Sequence, residues 1–313
     1  MHTKALQRIF TQLEGNDLKE TLSGHISLSD LNTLLLQLYG NITSNYTYAQ
    51  VMEKYSLNRF VKPADIDPIA LKQLELELFK IAVSLSYQPV LLSPVTVLGS
   101  CSVLAPVNQN NIISAARGTE AVADATNALA LHICHLIKTG QTNHKQNPIR
   151  LCTSHRHVRA QKYKDPGSLP HFHVFCMVTS GRDRGAYTFE KQALVEHLNL
   201  YQTIFHHVFG LNITVKLSKM GGYKDTEGFF QRLCRHVKKH LLHADVVETR
   251  GDESNSYYKG LRFKMFVRRD GKEFEVGDGG FTDWTQKLLS NKKERMLISG
   301  IGLDRLICNV RTP

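Results

Sequence analysis

The chain has 313 residues, 42% of them hydrophobic, enough to bury a large core without disulfide staples. No apolar run reaches the length needed to cross a bilayer, and no signal peptide follows Met1, so a cytoplasmic protein is expected. A formal charge of +11, from 39 Lys and Arg against 28 Asp and Glu, favours polyanionic partners, either nucleic acid or small phosphates, without choosing between them. Cysteines 101, 134, 152, 176, 234 and 308 form no Cys-x-x-Cys pair and read as unpaired thiols.

Residues 1–86 read as a helical segment. Leu6, Ile9, Phe10 and Leu13 fall at helical spacing before Gly15-Asn16. Ser27 or Ser29 is placed to cap a second helix with Leu31, Leu34, Leu35 and Leu38 on one face, closed by Gly40 and Asn41. After a linker with Pro63, an amphipathic helix over 68–86 shows Leu71, Leu74, Leu78, Ile81 and Leu85 on one side. From Tyr87 onward the texture changes. β-rich runs occur at Val90–Leu92, Ile149–Thr153, Phe172–Thr179, Ile213–Leu217, Leu261–Val267 and Glu273–Val276, with helices expected over Thr119–Lys138 and Phe189–Phe209. Arg269-Asp270-Gly271-Lys272 suits a hairpin turn, because Asp-Gly tolerates positive φ. The pattern predicts an α+β domain over 87–313, an antiparallel sheet flanked by helices, behind the N-terminal helical segment.

Four patterns follow one another in the second two-thirds of the chain. Gly300-Ile301-Gly302-Leu303-Asp304-Arg305-Leu306 offers glycines that let a nucleotide approach the backbone and a guanidinium fork for phosphate. This run resembles motif 3 of the class II aminoacyl-tRNA synthetases, in its histidyl form. Tyr257-Tyr258-Lys259-Gly260-Leu261-Arg262-Phe263 is similar to the Tyr-Tyr-x-Gly-x-x-Phe strand of histidyl-tRNA synthetases and their paralogues, and Gly279-Gly280-Phe281-Thr282-Asp283 to their Gly-Gly-Arg-Tyr-Asp. Arg156-His157-Val158-Arg159-Ala160-Gln161-Lys162 with His171-Phe172-His173-Val174 resembles motif 2. Ala116-Arg117-Gly118-Thr119 resembles the Arg-Pro-Glu-Gly-Thr loop that receives the amino acid's ammonium, and Val90–Pro94 looks like the motif 1 strand of the class dimer interface.

The resemblance implies ATP and Mg²⁺ as cofactors. Arg156 would stabilise the α-phosphate, where charge builds as a carboxylate attacks, with Arg159 assisting. Phe172 would stack on adenine, Gly302 would lie beside the nucleotide, and Arg305 would clamp the γ-phosphate. Thr119 and Glu120 would meet the substrate, although a helix cap and a first-turn acid explain them equally well. Glu275 and Asp278 offer hard oxygens for magnesium. His171, His173 and the run His132-Ile133-Cys134-His135 lack zinc-site spacing.

Departures from the family cluster on the amino-acid side: Arg117, Val158, Glu253, and Phe281-Thr282. Ordinary histidine activation is therefore not expected. Eight residues after Arg305 leave no room for an anticodon-binding domain there. The expectation is a stand-alone synthetase-like homodimer that activates an amino acid or similar small carboxylate and transfers it to tRNA or another acceptor. A non-catalytic paralogue, like the regulatory subunit of ATP phosphoribosyltransferase, is the alternative. A third reading, a nucleic-acid-binding accessory protein, rests on Lys145, Arg150, Arg156, Arg159, Lys162 and Lys164, and on Arg232, Arg235, Lys238, Lys239 and Arg250 with neighbouring histidines.

Overall fold

The computed structural model describes residues 2–12, 18–161, 170–241, 243–249 and 257–310. Leu13, Gly15-Asn16, Lys162, Lys164, Arg250 and Glu253 lie outside them. Helices occupy His2–Gln12 and Leu18–Glu20, the latter running into a π-helical turn. The helix Leu28–Thr43 starts as expected, with the Ser27 hydroxyl accepting from Asp30 N at 3.0 Å. It runs through Gly40 and Asn41 rather than closing there, because neither adopts the left-handed conformation that a glycine cap needs. A further helix, Tyr48–Leu57, has a capping box between Thr47 and Gln50. Neither of these two helices buries a residue, and Leu34, Leu38, Ile42, Val51 and Met52 remain exposed.

The helix Pro68–Ser84 carries its start in its sequence. Asp67 accepts from Ile69 N at 2.8 Å, and Pro68 occupies the first turn, where its missing N–H costs nothing. Leu71, Leu74 and Leu78 are buried as the spacing predicts, while Leu85 lies beyond the helix and is exposed.

The sheet is built from β1 (Gln88–Pro89), β5 (Ile149–Val158), β6 (His171–Arg182), β7 (Ile213–Lys219), β8 (Asp245–Thr249), β9 (Lys259–Arg269), β10 (Lys272–Thr282) and β11 (Glu294–Gly302). Their order is β1-β5-β6-β11-β10-β9-β7-β8. The inner pairs are antiparallel, and the two edge pairs, β1–β5 and β7–β8, are parallel. A small second sheet orders β2 (Val95–Val97), β4 (Thr119–Ala121) and β3 (Ser114–Ala115) as β2-β4-β3. The predicted Asp-Gly hairpin joins β9 to β10, with φ of 50° at Asp270 and 73° at Gly271. Val90–Leu92 lies just past the strand it was expected to form, though Val90 N still donates to Cys152 O.

Two faces follow from strand alternation. On one, Phe175, Met177, Val215, Met265 and Ile301 pack under Leu74, Leu78 and the helices Thr188–Phe209 and Thr226–His240. Each such fully buried side chain contributes roughly 2 kcal/mol of burial free energy. On the other face, Leu151, Val178 and Ile298 pack against Leu129, Ala130 and Ile133 of the helix Ala125–Lys138. That helix was expected from Thr119; Asp124 caps it instead, and Thr119–Ala121 pairs as β4. All six cysteines are free, five buried and Cys308 exposed. Among the described residues no helix is long and apolar enough to cross a membrane.

Candidate active site

β5 and β6 pair so that His157 stands opposite Phe172 and Arg156 opposite His173. Phe172, Val174 and Cys176 therefore share one face with His157, while Arg156 and His173 share the helix-covered face with Phe175. A cavity of about 900 Å³ opens over the first face, at the end of the sheet where β11 gives way to the helix Leu303–Asn309. It is lined by Arg159, Phe172, Gly302, Arg305, Glu275 and Asp278, six of the nine expected site residues. Beyond Val174–Gly302, the last β6–β11 pair, its rim passes His171, His173 and Asp304.

Arg156 is not brought into this group. Its Nε donates to His171 Nδ1 at 2.9 Å, and a terminal nitrogen lies 3.7 Å from the Asp304 carboxylate. The parity of β5 puts His157 and Arg159 toward the cavity instead. Arg159 is held by a 2.9 Å bond from its Nε to Ala123 O, with its guanidinium 5.1 Å from the Phe172 ring centre.

His157 is 2% exposed, and its Nε2 accepts the Ala125 N–H at 3.1 Å. Burial lowers its pKa to about 3, so the ring is neutral and its proton resides on Nδ1. Nδ1 is buried with no partner among the described residues. Asp124 lines the same wall. One of its oxygens accepts from Thr126 N at 2.9 Å and Thr126 Oγ1 at 2.7 Å, and the other from the Tyr257 hydroxyl. Burial raises the Asp124 pKa, but the Arg159 charge and the hydrogen bonds from Thr126 and Tyr257 outweigh it, leaving the carboxyl below its usual value and ionised.

Thr119 and Glu120 do not reach the cavity. Thr119 Oγ1 donates to Ala116 O at 2.9 Å, while Glu120, 0% exposed, accepts from Gly99 N, Ser100 Oγ, Cys101 N and Gln109 Nε2. Glu120 is thus a structural anchor for the Ser100–Leu104 helix. Asp124-Ala125-Thr126 presents an acid and a threonine two residues apart at the start of the helix Ala125–Lys138. The sequence carried this pattern, but it also reads as an ordinary helix cap.

No protein-family model matches the chain, and no curated protein matches it by sequence. Solved structures do match. An ATP phosphoribosyltransferase regulatory subunit/histidyl-tRNA synthetase from Bacillus halodurans C superposes with a TM-score of 0.61 at 12% identity, over 81% of this chain and 84% of that one. Histidyl-tRNA synthetase from S. aureus gives 0.56 at 15% identity, over 77% of this chain and 66% of its own. A putative threonyl-tRNA synthetase from Aeropyrum pernix gives 0.57 at 14%, over 80% and 65%. The fold is that of a class II aminoacyl-tRNA synthetase core. The chain spans just under two thirds of the length of those two synthetases.

Within this class II core, the two acids expected to hold magnesium are each paired with a cation. Arg262 lies 2.7 Å from Asp278, and Lys264 lies 2.8 Å from Glu275. Among the described residues no three metal-ligating side chains cluster. The basic residues Arg232, Arg235, Lys238 and Lys239 form the exposed side of the amphipathic helix Thr226–His240, whose other side buries Phe229, Leu233 and Val237. Lys238 is paired with Glu248 at 2.7 Å.

Proposed function

We propose that this synthetase-like core binds ATP in the cavity and activates an amino acid, or a similar small carboxylate, as its adenylate. The observation that carries the reading is the presence of Arg159, Phe172 and Arg305 on one cavity, with Gly302 between strand and helix leaving open space. Phe172 would stack on the adenine. Arg305, exposed and without a partner among the described residues, would take the outer phosphates.

In the reaction, a carboxylate oxygen attacks the α-phosphorus and the bond to pyrophosphate breaks. Negative charge grows on the α-phosphate oxygens in the transition state. Arg159, fixed through Ala123 O, would stabilise such charge without reorganising. Asp124 and Thr126 would hold the substrate ammonium. Mg²⁺, if shared between the phosphates and Glu275 or Asp278, supplies further charge neutralisation. The acyl group then passes to tRNA or another acceptor. A homodimer and a cytoplasmic location belong to the same proposal.

A second reading has its own observation. The motif 2 arginine, Arg156, is turned away to the opposite face, and the neutral ring of His157 stands on the cavity side instead. A regulatory paralogue that binds ligands without turnover fits that exchange. Pyrophosphate–ATP exchange across a panel of amino acids decides between them. Exchange with any member supports the enzyme, and ATP binding with no exchange across the panel supports the regulator.

A further inference from the structure

The linker between the exposed helix Tyr48–Leu57 and the core helix Pro68–Ser84 crosses the end of the β5–β6 hairpin and is bonded to both of its arms. On the β5 side, one terminal nitrogen of Arg59 donates to Ala160 O, and both donate to Gln161 O at 3.4 Å. On the β6 side, His171 Nε2 donates to Lys62 O at 2.6 Å. The partners fix the tautomer. Arg156 Nε can only donate, so His171 Nδ1 accepts it and the ring proton sits on Nε2, facing the carbonyl. Ala160 follows Arg159 and His171 precedes Phe172, so each tie lies one residue from a side chain proposed to hold the nucleotide.

The linker is itself held on both sides. The Arg59 guanidinium stands 4.3 Å from the Phe60 ring centre, and Lys62 Nζ stands 4.1 Å from that of Tyr55 in the preceding helix. Downstream, the helix Pro68–Ser84 buries Leu71, Leu74 and Leu78, and its Glu75 accepts from Ser154 Oγ of β5 at 2.7 Å. Between these anchors, Asp65 and Ile66 line the cavity together with Arg159 and Phe172. The core restrains the same hairpin from within, through Arg159 N to Pro170 O at 2.7 Å and Ala160 N to Asn111 O at 2.8 Å. The linker braces it from outside.

We propose that Arg59 is a positioning residue of the cavity: the stretch Arg59–Lys62 fixes Arg159 and Phe172 relative to each other before ATP arrives. This rests on reading the cavity as a nucleotide site. Arms without the brace would have to be ordered on binding, and ordering side chains at that moment costs affinity. A guanidinium suits the task, because its rigid fork reaches two successive carbonyls at once.

The test is fluorescence titration of the full chain with a non-hydrolysable ATP analogue, with urea midpoints measured on the same proteins. Arg59→Ala should weaken binding about tenfold, the cost of ordering Arg159 and Phe172 on binding, with a midpoint close to the parent's. Arg59→Lys, which keeps a donor for Ala160 O, should recover part of the loss. His171→Gln, whose amide can still donate to Lys62 O, should bind more tightly than His171→Leu. A double-mutant cycle decides the matter. Because Arg59 acts through Arg159, Arg59→Ala should cost less than about threefold in an Arg159→Ala protein, yet the full tenfold in Arg305→Ala. An equal loss in both backgrounds overturns the proposal, and so does unchanged affinity in Arg59→Ala. A loss that tracks a lowered urea midpoint and resists Arg59→Lys overturns it too. In each of these cases the parent still binds, and the nucleotide site stands. A parent that binds no analogue removes the nucleotide reading, and this proposal with it.

Discussion

Arg156 and Arg159, three residues apart, extend from opposite faces of the same sheet. Arg156 meets His171 and Asp304, while Arg159 meets Ala123 O and the Phe172 ring. Their substitutions should separate accordingly. Arg159→Ala and Arg305→Ala are expected to weaken ATP-analogue binding at least about tenfold, the loss of one charge-assisted phosphate contact. Arg156→Ala should change it less than about threefold, because its guanidinium is directed at groups of the protein. Fluorescence titration of the three variants checks this. Equal losses for Arg156 and Arg159 would place the phosphates elsewhere.

Acid should destabilise the fold through its buried imidazoles. His157 and His197 both have pKa values lowered to about 3, chiefly by burial. The unfolded chain binds their protons below the ordinary histidine value of about 6.5, whereas the folded chain does not. Stability therefore falls as pH drops from about 6.5 toward 3, with a slope of roughly 1.4 kcal/mol per pH unit for each group. Asp124 and Glu120, whose pKa values are lowered, act in the same direction at the acid end. They add stability above their unfolded values that is lost as pH falls through the folded ones. Urea midpoints measured between about pH 7 and pH 4 should decline, and less steeply in His197→Gln. A flat profile would mean that these rings are protonated in the native state.

Glu120→Ala tests an anchor that sequence reading took for a ligand. Removing the carboxylate strands four donors: Gly99 N, Ser100 Oγ, Cys101 N and Gln109 Nε2. Stability should fall by about 3 kcal/mol, with ATP-analogue affinity of the folded protein unchanged. Chemical denaturation and titration read the two quantities separately. Lost affinity at full stability would return Glu120 to the substrate.

Where local chemistry decides structure, the sequence was legible. Asp67-Pro68 and the leucine spacing set one helix, Asp270-Gly271 set the β9–β10 hairpin, and the helix Thr188–Phe209 began one residue before its expected start. Motif order anticipated the fold and gathered Phe172, Arg159 and Arg305 on one cavity. Three things were hidden. Strand parity near Arg156 depends on which residue of β6 stands opposite, a long-range fact, and a one-residue slip turns every side chain over. Glu294–Gly302 was not among the expected β-rich runs, yet it is β11, a central strand whose partners β6 and β10 cover both its edges. Asp124 was overlooked because a capping acid and an ammonium-binding acid look alike until Tyr257 and Arg159 are seen around it.

The glycines of the cavity end should divide into those the fold needs and one the ligand needs. A Cβ at Gly279 would sit 2.5 Å from Ile298 O, a backbone atom of the paired strand that cannot move without disturbing the ladder. Gly279→Ala is expected to cost about 3 kcal/mol, read as a lowered Tm. At Gly302 a Cβ meets nothing within 4 Å, and the residue's φ of −81° suits any side chain. Gly302→Ala should therefore fold with a Tm close to that of the parent. The added methyl would enter the cavity beside Phe172 and Arg305, where the proposed function puts the nucleotide, and is expected to weaken ATP-analogue binding about tenfold or more. Unaltered affinity in a well-folded Gly302→Ala protein would mean that no nucleotide passes over this residue, and the phosphate role of Arg305 would fall with it.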